Sequence, residues 1–118
     1  MSESRGVVSI APQVLATVAT YAALGVAGVA RLGSKPPMRV GRLMRRTAIS
    51  DGVQVVVEEG VATIDLYLVY ERTAQMLETS RAVQAEVARA VQETVGMPVA
   101  EVNIHIADVA IDAVVDLN

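Results

Sequence analysis

The alternation of apolar and polar residues is clearest between Gly52 and Tyr70, where it predicts a β-hairpin. A turn of even length, at Glu59–Gly60 or over residues 58–61, gathers the apolar side chains of both strands on one face. The expected pairs are Val53 with Leu66, Val55 with Ile64, and Val57 with Ala62. A three-residue loop would instead bring a charged residue into the apolar row. The even turn is therefore preferred.

Apolar residues at steps of three and four predict two helices, one on each side of the hairpin. The first runs from Pro12 to Leu24 and ends at Gly25, with an apolar stripe formed by Val14, Leu15, Val18, Ala19 and Ala22. The second runs from Thr73 to Thr94 and ends at Gly96, with a stripe formed by Met76, Val83, Val87, Ala90, Val91 and Val95. Each stripe can cover one face of a sheet.

Further strands are predicted at residues 6–10 and 99–107, and residues 108–118 continue the alternation as a strand-like tail. In the second of these strands, Val102, Ile104 and Ile106 are expected to face the core. The order β-α-β-β-α-β fits an α/β (α+β) two-layer sandwich with a mixed or antiparallel sheet. Both helices are expected on one face of the sheet, in a split βαβ arrangement.

The 118 residues suit a single domain, with its core in residues 6–107. Residues 33–50 contain two prolines and five basic residues, which predicts a long exposed loop. Apolar residues make up 53% of the chain, yet it has no Phe and no Trp. The core is therefore expected to consist of methyl-bearing side chains. The chain has no Cys, which excludes disulfides and thiolate chemistry.

Charge is distributed unevenly along the chain. Residues 1–50 hold one acid and seven bases, whereas residues 51–118 hold twelve acids and three bases. Such a polarised chain can attract an anionic surface or a second copy of itself arranged head to tail. A fold that interleaves the two halves in space is the alternative, and the sequence leaves both open.

Twenty-five residues from Gly6 to Ala30 carry no charge, which is long enough to cross a bilayer. The stretch also contains Pro12, Gln13 and several glycines and threonines, but only two leucines, so insertion is unfavourable. We expect a cytoplasmic protein, with a peripheral position at the inner face of the cell membrane as a further option.

Candidate catalytic and metal-binding residues are few. His105 is the only histidine, and neither a nucleophile nor an orienting group completes a site around it. The adjacent Glu58 and Glu59 at the hairpin tip offer too few ligands for a divalent cation. We therefore expect no enzyme activity, no catalytic residue, no metal, no cofactor and no small-molecule substrate.

Gly25 and Gly28 form a G-x-x-G loop followed by the basic segment 31–46, a combination that resembles KH-type RNA-binding modules. The residues between these glycines are Val26 and Ala27 rather than basic residues, and the chain offers no aromatic platform for base stacking. A KH-like nucleic-acid-binding protein is the alternative function.

Partner contacts are expected from three parts of the chain: the basic segment, the sheet face opposite the helices, and the tail. The candidate interaction residues are Arg31, Lys35, Arg39, Arg42, Arg45, Arg46, Val56, Tyr67, Val69, Val109, Ile111 and Val115.

Four stretches together resemble the alkaline shock protein family, also called the bacterial envelope stress response family. They are Gly6-Val-Val-Ser-Ile10, GVAGVARLG from Gly25, the hairpin GVQVVVEEGVATIDLYLVY, and Val99-Ala-Glu-Val-Asn-Ile-His-Ile106. The resemblance implies a bacterial, non-enzymatic cytoplasmic protein that self-assembles. It further implies that the protein collects near the membrane through membrane-protein partners and takes part in envelope homeostasis under stress.

Overall fold

A computed structural model describes residues 6–34 and 46–111, with the backbone alone for Arg46. Two helices and five strands follow one another along the chain. They are α1 (Pro12–Leu24), β1 (Val29–Leu32), β2 (Arg46–Ser50), β3 (Val53–Glu58), β4 (Val61–Tyr70), α2 (Met76–Val95) and β5 (Val99–Val109). The predicted α+β class is confirmed.

The central hairpin of β3 and β4 has the predicted register. Val53 pairs with Leu66, Val55 with Ile64 and Val57 with Ala62, and all six side chains are buried. The turn consists of two residues, Glu59 and Gly60, with φ values of 53° and 77°. Two consecutive positive φ values match the right-handed twist of the flanking strands, which fixes the even register.

The sheet is mixed. β5, β4, β3 and β2 lie side by side; β4 runs parallel to β5 and antiparallel to β3, which is antiparallel to β2. β1 pairs antiparallel with the last residues of β4. Tyr67 lies between the part of β4 that pairs with β3 and the part that pairs with β1. Its N–H donates to the carbonyl of Gly52, which precedes β3, and its carbonyl accepts from the N–H of Gly33, which follows β1. β1 and β3 therefore meet end to end along one side of β4.

Both helices cover the same face of the sheet and pack against each other, as predicted. α1 has the predicted bounds, but its fully buried residues are Leu15, Ala16, Ala19 and Ala23. The buried stripe is rotated because alanines at the contact allow α1 to approach α2 and the sheet closely. On α2 the buried residues are Thr79, Val83, Val87 and Val91, and Gly96 ends the helix with a φ of 80°.

The N-terminal part of the predicted topology is wrong. Residues 6–10 form no strand, and the first strand of the described chain follows α1 instead of preceding it. A split βαβ arrangement would place an N-terminal strand between the second hairpin strand and the last strand, but β5 pairs with β4 along that side. β4 and β5 are direct neighbours, so the expected split βαβ arrangement is also wrong.

The predicted loop over residues 33–50 is wrong at its C-terminal end, where residues 46–50 form β2. Pairing with β3 gives this short segment its strand conformation, and Ala48 contributes a buried side chain opposite Val55. Residues 35–45 lie outside the described chain.

The C-terminal strand extends two residues beyond its predicted end, to Val109. Ala110 still donates its N–H to the carbonyl of Tyr70, over 2.7 Å, but the strand does not continue through Ala110 and Ile111. The strand predicted over the tail is thus wrong at these two positions, because β4 and its hydrogen-bonding groups end at Tyr70. Residues 112–118 lie outside the described chain.

The exposed face of α2 carries an ion-pair cluster in which Arg89 contacts Glu86 and Glu93. The hydrogen bond from Arg89 lowers the pKa of the Glu86 carboxyl below its ordinary value.

We expect that Arg89→Gln raises this pKa, as measured by NMR titration of the side-chain carboxyl. Because the folded-state pKa is depressed, the pair stabilises the fold above the unfolded pKa, and this contribution is lost as the pH falls through the folded value. An unchanged Glu86 titration in the variant would contradict the assignment.

Candidate interaction surface

The sheet face opposite the helices, here called the open face, carries the residues that alternate with the core positions. They are Gln54 and Val56 of β3; Thr63, Asp65, Tyr67 and Val69 of β4; and Asn103 and His105 of β5. The registers place Asp65 between Gln54 and Asn103, and Tyr67 beside His105. The open face therefore mixes apolar and polar side chains in the sheet centre.

A small polar cluster lies on the open face. His105 Nε2 is 3.0 Å from Asp65 Oδ1, and the ring of Tyr67 stacks on the His105 ring with centroids 4.5 Å apart. Gln54 is buried opposite Asp65, and its Oε1 has no hydrogen-bond partner. Asp65 and Tyr67 hold the imidazole in place, but no activated nucleophile stands beside it among residues 6–34 and 46–111. The cluster orders this face and does not form a catalytic triad.

No metal centre is formed by the described residues. Nowhere in residues 6–34 and 46–111 do three His, Cys, Asp or Glu side chains come together in a way that could hold an ion. The pair of glutamates at the hairpin tip, Glu58 and Glu59, stands at a turn with Glu59 in the left-handed region. The arrangement of these two glutamates is explained by the hairpin turn.

Tyr67 and Val69 are buried on the open face, with 8% and 3% of their surfaces exposed. Residues after β1 cross above them, because a Cβ added to Gly33 would lie 2.9 Å from the Cβ of Ala107 on β5 and 3.5 Å from that of Tyr67. The same chain segment, with Val69 and Asp108, lines a shallow cavity of about 240 Å³. That these two residues contact a partner stays a prediction.

The other candidate residues are spread over the sheet and its flanks. Val56 and Val109 are half-buried, while Arg31 and Ile111 are exposed. Arg46 opens β2. Lys35, Arg39, Arg42, Arg45 and Val115 lie outside the described chain.

The Gly25–Gly28 loop packs against α2. Gly28 has a φ of 102°, and a Cβ at this position would lie 2.6 Å from Oγ1 of Thr79. Val26, between the two glycines, packs against the hydrophobic core. A loop closed in this way directs its backbone toward a helix, which differs from a loop that clamps a nucleic-acid backbone. The nucleic-acid alternative stays a prediction.

Three exposed apolar residues, Val7, Val8 and Ile106, were not identified from the sequence. Ile106 of β5 is predicted to face the core, yet 56% of its surface is exposed, and the predicted contact residue Ile111 beyond the strand is 79% exposed. Val7 and Val8, before α1, are each 90% exposed. Strand periodicity tells which face a side chain takes but not whether another element covers that face. These residues and the open face form the candidate interaction surface.

The described helices contain 13 and 20 residues. Neither of them is long and apolar enough to span a bilayer. The charge-free stretch of residues 6–30 is divided between α1, a glycine turn and the first residues of β1.

The geometry defines a class of protein: a small two-layer α+β domain whose described residues carry apolar contact groups at the margins of the sheet and no assembled catalytic centre. The model of the alkaline shock protein (ASP23) family, described by its cell envelope-related function, matches residues 1–111. The chain belongs to this family. The family is not known as an enzyme family.

Two curated proteins of Bacillus subtilis (strain 168) are similar to the chain. "Uncharacterized protein YloU" is 32% identical over 108 residues, which cover 90% of each protein. "Uncharacterized protein YqhY" is 28% identical over 107 residues, covering 91% of this chain and 79% of the relative. No solved structure gives a significant match.

Proposed function

We propose that the chain is a non-enzymatic interaction protein of the cell envelope, which self-associates and docks to a membrane-associated protein from the cytoplasmic side. The family supports the relation to the envelope. Self-association and docking go beyond it, and they rest on the surface described above.

The observation that carries the proposal is the pair of exposed aliphatic side chains at the C-terminal end of the sheet. Ile106 and Ile111 lie on either side of Val109, which is half-buried. Exposed aliphatic groups along an edge strand and just beyond it favour association with another protein, because each buried methylene contributes about 0.8 kcal/mol.

The chemistry of the described residues supports a role without catalysis. His105 is engaged by Asp65 and stacked on Tyr67. The cavity beside Val69 is small and shallow, and its polar lining side chains are those of Arg31, Ser34 and Asp108, without a histidine. General acid–base catalysis needs a base within hydrogen-bonding reach of the reacting group and a second group that orients it. His105 and Asp65 supply a base and an orienting group, but no activated nucleophile stands beside them among residues 6–34 and 46–111.

Self-association predicts a size that increases with protein concentration, measured by light scattering coupled to gel filtration. Ile111→Asp should shift the mass toward the monomer, because it places a charge within the apolar contact without affecting the core. Leu77→Asp on α2 is the matched control, since Leu77 is also an exposed aliphatic residue, with 66% of its surface exposed, and lies on a helix instead of the C-terminal segment. The control should retain the wild-type mass.

A monomer at all accessible concentrations would refute self-association. Docking is tested separately by affinity capture from the native host with mass spectrometry of the bound proteins. Enrichment of an integral membrane protein by the wild type, and its loss with Ile111→Asp but not with Leu77→Asp, would support the proposal. Equal enrichment by all three proteins would contradict the assigned surface.

A further inference from the structure

The segment that precedes α1 is rich in exposed valine and belongs to neither a helix nor a strand. Residues 7–9 form no strand, and Val7 and Val8 are exposed over 90% of their surfaces. Their sequence, Val-Val-Ser between Gly6 and Ile10, has a β-branched character that suits a strand. Residues 7–9 will be called the donor segment. Its residues favour a strand, and the described chain supplies no strand that pairs with it.

An unoccupied sheet edge lies elsewhere in the same molecule. β5 pairs with β4 on one side, and the described chain supplies no strand on its other side. Near the start of β5, Gln84 of α2 donates from Nε2 to the carbonyl of Val102, over 3.0 Å. Backbone groups of alternate strand residues point to the same side, so those of Ile104 and Ile106 also point outward. The free part of the edge thus begins after Val102 and extends to Val109.

We propose that the donor segment of one copy adds as a strand to the free edge of β5 in a second copy. This inference rests on the self-association proposed above and gives it a site. An extended segment and an unpaired edge satisfy each other's backbone hydrogen bonds, and pairing covers an edge that otherwise invites uncontrolled association. The free edge is long enough for the donor segment and its neighbours.

An antiparallel alignment with Val8 opposite Ile106 fits the side chains best. It places Val8 on the helix side of the sheet beside an isoleucine that is 56% exposed. The apolar pair formed by Val8 and Ile106 thus favours this register.

The topology makes the addition intermolecular. α1 packs over β2 and β3, whereas β5 lies on the opposite edge of the sheet, beyond β4. Strands lie about 4.8 Å apart, so the start of α1 is separated from the outer edge of β5 by several strand widths. Each copy can donate at one end and accept at the other. Such a head-to-tail contact propagates into rings or open chains.

Cysteine cross-linking tests the register directly, because the natural chain has no Cys. Val8→Cys and Ile106→Cys variants, the second one carrying a tag that changes its mass, are mixed and oxidised, and the mixed disulfide dimer is quantified on a non-reducing gel. Val7→Cys is the matched control, since Val7 is as exposed as Val8 but points to the other face of an added strand. We expect about five-fold more mixed dimer with Val8→Cys than with Val7→Cys, because disulfides require Cβ atoms roughly 4 Å apart.

A second variant, Val8→Pro, removes the N–H that a strand ladder needs while keeping an extended backbone. Because Val8 is exposed and unpaired in the single chain, its melting temperature should stay at the wild-type value while the assembly becomes smaller.

Equal cross-linking at positions 7 and 8, or an unchanged assembly in Val8→Pro, would overturn the strand addition. So would preferential cross-linking of Val8→Cys to Ile49→Cys, which would place the segment on the β2 edge. If the wild type still associates in such a case, only the proposed site fails. A wild type that is monomeric throughout removes the self-association itself.

Discussion

Ile64→Ala is expected to lower the free energy of unfolding by about 2–5 kcal/mol, the range for truncating a fully buried aliphatic side chain. Ile64 is at the centre of the sheet, between Val55 of β3 and Val102 of β5, and none of its surface is exposed. Both cross-strand partners are valines, whose short and stiff side chains cannot move to fill the space left behind. Urea denaturation followed by circular dichroism would measure the loss.

Ile49→Ala is the matched control for this change. The same three carbon atoms are removed, but from a residue of β2 that is 52% exposed and leaves no closed cavity. We expect its unfolding midpoint to stay much closer to the wild type than that of Ile64→Ala. If both variants lost the same stability, the assignment of the methyl-rich layer as the core would be wrong.

Gly52→Ala is expected to cost about 3 kcal/mol or more, because it combines backbone strain with a steric clash. Gly52 has a φ of 80°, and an added Cβ would lie 2.5 Å from the carbonyl oxygen of Gly33. That atom belongs to the backbone and cannot rotate away. Relief of the clash requires β1 and β3 to separate where they meet at Tyr67, which would break the hydrogen bonds of Tyr67 to Gly52 and Gly33.

Gly60→Ala separates the two contributions. Gly60 has a similar φ, 77°, but a Cβ there would meet nothing within 4 Å. Gly60→Ala is therefore expected to lower the free energy of unfolding only by the cost of placing alanine in the left-handed conformation, roughly 1–2 kcal/mol. The melting temperature should fall in the order wild type, Gly60→Ala, Gly52→Ala. Equal losses for the two glycines would show that β1 and β3 do not meet as closely as described.

The hairpin and both helices could be predicted from the sequence because their signals are local. A register is specified when one face is buried, and the apolar residues of β3 and β4 coincide only with the two-residue turn at Glu59–Gly60. Likewise, Gly25 and Gly96 lie at helix ends because glycine is a poor helix former, and Gly96 also adopts the left-handed conformation of a C-terminal cap.

The strand at residues 6–10 could not be predicted correctly, for the opposite reason. Its residues have the β-branched character of a strand, but a strand needs a partner, and β5 occupies the side of β4 on which the predicted arrangement placed it. β2 shows the same dependence, since residues 46–50 become a strand by pairing with β3. Neither outcome is encoded in the segment itself.

The candidate surface depends even more on the assembled fold. The strand pattern places Tyr67 and Val69 on the open face and predicts them as contact residues. In the fold, the chain around Gly33 passes over them. Ile106 has the spacing of a core residue, yet it is more than half exposed. Burial is decided by what lies above a sheet position, and residues far away in the sequence provide that cover.

The sequence by itself determined the two-layer α+β class, the hairpin register, both helices and the family to which the chain belongs, since all depend on neighbouring residues or on the order of motifs. Tertiary structure decided which strand lies beside β4, which apolar side chains remain in contact with water, and that β5 is a sheet edge. The reason is physical: backbone hydrogen bonds and buried area are shared between segments distant in sequence. Strand pairing and side-chain burial are therefore decided only when the helix layer and the sheet pack together.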